Sequence, residues 1–166
     1  MEKANVIKTF FCTIGAFLSA KLGILWLVLP LLLVAMTIDY ITGILAAKKE
    51  GETDKEKGIS SKVGMWGIVK KLMYGVEVLI GIVVDWLIIN VSESLGFNIP
   101  VVTFFGLLIA IWLIFNEIIS ILENLTRIGT AMPPFLLKFV STFKVAVEQS
   151  GDTLVENIEK SINKEE

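Results

Sequence analysis

The sequence predicts an all-α integral membrane protein: three transmembrane helices, with a fourth N-terminal crossing left open, followed by a cytoplasmic amphipathic C-terminal helix. Three observations carry that reading. Of 166 residues, 54% are hydrophobic and mean hydropathy is +0.74, above what a soluble domain with amphipathic stripes shows. The apolar residues gather into three long stretches. Each stretch nonetheless carries an acid, Asp39 in the first, Glu77 and Asp85 in the second and Glu117 in the third. A carboxylate at membrane depth calls for water, a partner helix or a proton.

Residues 1–23 form an N-terminal segment whose apolar run is bracketed by Lys8 and Lys21. The uninterrupted run is about 12 residues, or about 18 Å of helix, short of a hydrocarbon core of about 30 Å. An interfacial helix is therefore expected. The alternative is a tilted fourth span with snorkelling lysines, which places Lys3 and Lys8 in the cytoplasm. A cleaved signal is disfavoured because Leu18 stands where a small residue is wanted.

The membrane domain covers residues 24–122, with spans at 24–47, 72–89 and 99–122. The first is long enough to cross and contains Pro30 as a candidate kink. The second is close to the minimum of about 17 to 20 residues. Each of its two acids costs about 2.5 to 3.5 kcal/mol, whereas each large aliphatic residue returns about 0.3 to 0.6, so its insertion alone is marginal. The third opens with Pro100 in its first turn, where a missing donor is tolerated, and carries no formal charge before Glu117. Trp112, deep within it, reads as a packing residue.

Charge asymmetry between the connections predicts orientation. Lys48, Lys49, Lys55, Lys57, Lys62, Lys70 and Lys71 lie between spans one and two, whereas residues 90–98 contain no Lys or Arg. The first loop is predicted cytoplasmic. Within it, residues 50–58 read as a solvated loop and residues 63–71 as an approach lying along the interface. Residues 123–166, with Arg127, Lys138, Lys144, Lys160 and Lys164, are placed on the same side. Beyond Pro133 and Pro134, the residues Leu136, Phe139, Val140, Phe143 and Val147 recur at helical spacing. This is a basic amphipathic helix suited to the membrane surface or a neighbouring subunit, and Gly151 is expected to end or bend it.

Each span owns a polar seam. Glu77, Gly81 and Asp85 share one face of the second, and Asp39, Gly43 and Ala46 one face of the first. On the third, Asn116, Ser120, Glu123 and Arg127 form a line with Glu117 and Asn124 beside it. Acids beside small residues allow close backbone approach. The seams can pair within a single three-helix bundle, with Glu123 and Arg127 as a solvated ion pair. They can also pair between copies, which makes these residues candidates for oligomerisation and pore lining.

The absence of His removes the usual metal ligand and the usual acid–base catalyst. The single Cys12 cannot form an internal disulfide. No phosphate-binding loop is present, so no enzyme, cofactor, metal or nucleic-acid partner is expected.

The segment Asp39-Tyr40-Ile41-Thr42-Gly43-Ile44-Leu45-Ala46, the basic loop with Ser60, Ser61 and Gly64 leading to Lys70 and Lys71, and the run Glu117-Ile118-Ile119-Ser120-Ile121-Leu122-Glu123-Asn124 followed by Gly129 and Pro133 resemble the toxin-secretion/phage-lysis holin family. The resemblance covers residues 24–137, and its last motif is the most specific part. It implies a multi-pass protein of the bacterial cytoplasmic membrane that forms homo-oligomers and opens lesions releasing an endolysin or a large toxin. The competing expectation is a non-lytic channel or transporter subunit, or a membrane interaction protein.

Overall fold

The computed structural model describes residues 2–53, 61–96 and 103–162, and its regular structure there is entirely helical. The helices are α1 (Glu2–Leu22), α2 (Leu25–Thr53), α3 (Ser61–Ser94), α4 (Phe105–Ile128) and α5 (Pro134–Ile162). Among the described residues, α2, α3 and α4 are long and apolar enough to cross a membrane. The chain is thus an all-α, three-span protein, as its composition predicts.

Helix bounds differ from the sequence reading in instructive ways. No proline or capping residue separates residues 63–71 from the apolar run after them, so the approach expected along the interface is instead the first part of α3. Lys70 and Lys71 consequently stand inside a continuous helix. Helix α4 begins at Phe105; Pro100 and the loop lysines Lys55 and Lys57 lie outside the described residues. Helix α5 runs straight through Gly151. A Cβ there would lie 2.9 Å from Leu108 Cδ2, the movable end of a side chain, so this glycine sits in the α4–α5 contact and does not end the helix.

Helix α4 is the axis of the molecule. Helices α2, α3 and α5 all pack on it, while α2 and α3 scarcely touch one another. The core is Leu25 and Leu32 of α2, Tyr74 and Val78 of α3, and Ala110 and Leu113 of α4. Between α2 and α3 an apolar groove of about 730 Å³ opens outward, lined by residues such as Met36, Leu72 and Gly75. Leu27, Leu31 and Val34 on α2 and Leu79, Val83 and Trp86 on α3 are exposed. Such a surface suits acyl chains, because each helix satisfies its own backbone polar groups.

Two left-handed glycines place the helices. Gly23, with φ +53, ends α1, and its N–H bonds to the carbonyl of Ser19 at 2.9 Å. At the other end of the bundle Gly129, with φ 93, closes α4. Its N–H reaches Thr126 O at 2.9 Å while that of Thr130 reaches Leu125 O at 3.0 Å, a Schellman closure. The chain then reverses, and α5 returns antiparallel along α4. Phe143 meets Phe115 with ring centroids 6.0 Å apart, and Gly151 lies against Leu108.

Candidate functional site

Three spanning helices meet at a buried polar knot. The Lys71 ammonium of α3 donates to Asp39 Oδ2 of α2 at 2.9 Å and to Glu117 Oε2 of α4. All three groups are largely shielded, with Glu117 only 3% exposed. One cation serves two carboxylates. In a low dielectric each carboxylate is costly alone, so the lysine is what allows Asp39 and Glu117 to share the interior.

Asn124 extends the knot along α4. Its Nδ2 donates to Asp39 Oδ1 at 3.0 Å and to Thr42 Oγ1 at 3.4 Å, while its Oδ1 accepts from Arg127 at 3.0 Å. Gly43 lies beside it: a Cβ there would sit 3.5 Å from Asn124 Nδ2, an ordinary contact distance. Ala46, one turn on, is fully buried. Arg127 does not pair with Glu123, as the solvated-pair reading expected. It forms two parallel bonds to Glu50 of α2, at 2.8 and 2.7 Å, because α2 extends beyond the membrane-length stretch and brings an acid alongside. Lys49 donates to the carbonyl of Ile128, covering the exposed end of α4. The basic end of the bundle is therefore tied to α4 by charge.

Between α3 and α4 the knot opens into a polar cavity of about 520 Å³. Asp39 and Glu117 form its inner wall, and Glu77, Asn116, Ser120 and Glu123 line the rest together with Lys70 and Lys71. The structure thus brings Asp39, Glu77, Asn116, Glu117, Ser120, Glu123 and Asn124 of the predicted seams into one region of a single chain.

Gly81 and Asp85 lie elsewhere. Near the opposite end of α3, the Asp85 carboxylate accepts the N–H groups of Phe105 at 2.8 Å and Gly106 at 2.9 Å. It caps α4 from a neighbouring helix, pairing two otherwise orphaned donors and placing negative charge at the positive end of a helix dipole. Gly81 makes this possible, since a Cβ there would stand 2.8 Å from Gly106 Cα. The stripe Glu77, Gly81, Asp85 is therefore divided between a cavity wall and a helix crossing.

Sequence reasoning missed Lys71 as the counterion. Its signal was present: stepping back from Asp85 through Gly81, Val78 and Tyr74 by threes and fours arrives at Lys71. It also missed the contact of α5 with Trp112, whose Nε1 donates to Glu148 at 2.6 Å while Lys144 stands 4.9 Å above the ring. Among the described residues no three His, Cys, Asp or Glu side chains are grouped to hold a metal.

Comparison with known proteins finds relatives along most of the chain. The chain is 32% identical over 142 residues to an uncharacterized protein of Halalkalibacterium halodurans, covering 84% of this chain and 94% of that one. It is 32% identical over 147 residues to an uncharacterized protein of Listeria innocua, covering 89% and 91%. An uncharacterized 14.9 kDa protein encoded in the nagH 3' region of Clostridium perfringens is 32% identical over 129 residues, covering 78% and 86%. No solved structure matches the chain significantly. The bacteriophage holin family matches residues 16–145, which takes in all three spanning helices, the knot and the start of α5: the chain belongs to that family.

Proposed function

We propose that the protein acts as a non-enzymatic holin: it accumulates in the bacterial cytoplasmic membrane, assembles with copies of itself and opens lesions that release an endolysin or a large toxin. The observation that carries this reading is the imbalance at the knot and the cavity beside it, where the four acids Asp39, Glu77, Glu117 and Glu123 gather around the two lysines Lys70 and Lys71. An excess of carboxylate is costly while enclosed, and that cost is relieved once the same surface meets water. Assembly that turns the α3–α4 cavity toward a lumen supplies that water. Collapse of the membrane potential biases the step, since one charge moved through 100 mV corresponds to about 2.3 kcal/mol. Before triggering, the basic end with Lys48, Lys49 and Arg127, and the C-terminal residues beyond it, lie in the cytoplasm.

Timed expression in a bacterium tests the proposal, following a small cytoplasmic reporter and a folded endolysin together. Abrupt release of both after a delay is expected, with the moment shifted by Glu77→Gln. Continued growth with neither released overturns the reading. The cavity also favours a second reading, a narrow ion-conducting subunit, for which release of ions alone is the distinguishing outcome.

A further inference from the structure

We propose that α5 is a conditional fourth membrane helix, docked along α4, whose outward polar line faces the water of the lesion. The inference rests on the lesion-forming reading above and adds to it which segment the lumen meets.

Three features of α5 carry it. Its contact face is a continuous seam: Leu137, Val140, Lys144, Val147, Gly151 and Leu154 follow one another by threes and fours, the spacing at which two helices pack along their whole length. That seam reaches across the bilayer. From Pro134 to Gly151 is about 26 Å of helix, most of a hydrocarbon core of about 30 Å, and Gly151 meets Leu108, which lies one turn from the far end of α4. The charges along this stretch are also accommodated. Lys138 lies one turn from the basic end, within snorkelling reach. Lys144 and Glu148 stand 4.0 Å apart and are both held on Trp112. The acid-rich residues after Asp152 extend beyond the apolar depth.

The opposite side of α5 is unlike the lipid-facing surfaces of α2 and α3. At about 100° per residue, Lys138, Thr142, Val145, Gln149, Asp152 and Glu156 fall on one line, nearly opposite the seam, and all are exposed; five of the six are polar. Thr142 bonds back to the carbonyl of Lys138 at 2.8 Å, which satisfies its hydroxyl, and Glu156 pairs with Lys160, but Gln149 and Asp152 require water or a polar partner. Water in the lesion satisfies them. It also gives residues 152–162 a route across in which their charges never meet hydrocarbon. Before assembly α5 rests on the cytoplasmic side, and docking on α4 accompanies opening.

The test uses the full chain with Cys12→Ser in lipid vesicles, carrying a nitroxide at one introduced cysteine at a time, and compares collisions with oxygen and with a water-soluble nickel chelate. Lys138→Cys and Glu156→Cys are expected near opposite surfaces and Val147→Cys deep and chelate-inaccessible. Thr142→Cys and Gln149→Cys are expected at depth yet open to the chelate. A single shallow depth for all positions overturns the proposal, as does oxygen-rich, chelate-poor exposure at Thr142→Cys and Gln149→Cys. In the same vesicles, a bulky thiol conjugate at Thr142→Cys or Gln149→Cys slows dye efflux several-fold, whereas one at Leu31→Cys on α2 leaves it unchanged. Equal effects at both surfaces remove α5 from the lumen. Absence of any efflux overturns the lytic reading, while the collision profile still decides where α5 lies.

Discussion

At the scale of single residues, Lys71 and Asp85 make opposite use of charge at membrane depth. Lys71 neutralises acids, and Lys71→Met leaves Asp39 and Glu117 together without a cation. Breaking a buried pair in this way costs about 3–5 kcal/mol, so the variant is expected to accumulate poorly and melt at lower temperature in detergent. Adding Glu117→Gln should recover part of the loss, which distinguishes charge imbalance from lost packing. Asp85 instead uses its charge on backbone donors. Asp85→Ala orphans the N–H groups of Phe105 and Gly106, a change of about 0.5–2 kcal/mol for a helix cap, read as faster hydrogen exchange at those two amides. The bond of Arg127 to Glu50 belongs to a third class. Both groups are partly exposed, so Glu50→Gln is expected to shift stability by about 1 kcal/mol or less.

At the scale of elements, the decisive contacts are made where side chains are missing. Gly81 lets the backbone of α3 reach that of Gly106, and Gly151 lies against the end of the Leu108 side chain. Gly81→Leu drives α3 from α4 and strips Asp85 from its amides, so lower thermal stability and loss of the cap are expected together. Gly151→Leu acts on α5 alone: limited proteolysis should cut α5 more readily while the three-span bundle survives. The element scale also shows what could be read from sequence and what could not. Hydropathy reveals three spans because length and apolarity are local properties. The ends of α3 and α4 escaped because an apolar run stops being conspicuous before its helix stops. Lys71 was read as belonging to a loop on that account, although it stands well inside α3.

At the scale of the whole molecule, the acids of the three spans were visible in sequence but their partners were not. Asp39, Glu117 and Asn124 lie on seams that spacing alone identifies. Whether those seams close within one chain or between two depends on helix order around α4, which no periodicity encodes. In the structure the knot closes within one chain. The fate of α5 was equally hidden, because an amphipathic stripe fits a membrane surface and the flank of another helix alike. The side of the membrane is open to direct measurement: cysteines introduced at Glu50 and Thr130, each in Cys12→Ser, should be labelled from the same side, since both stand at the basic end of the bundle.

Helix α4 touches every other spanning element, whereas α2 and α3 hardly meet. Synthesis delivers these parts in an awkward order. The ribosome completes α2 and α3, with Asp39, Lys71 and Asp85 already committed to the bilayer, before the helix that organises them exists. Until Phe105 and its successors emerge, the nascent chain must keep those groups at the insertion machinery or leave them unsheltered. Slowing translation just before residue 105 should therefore lower the yield of inserted protein, and supplying α4 as a separate peptide to a chain ending at Gly96 should raise it.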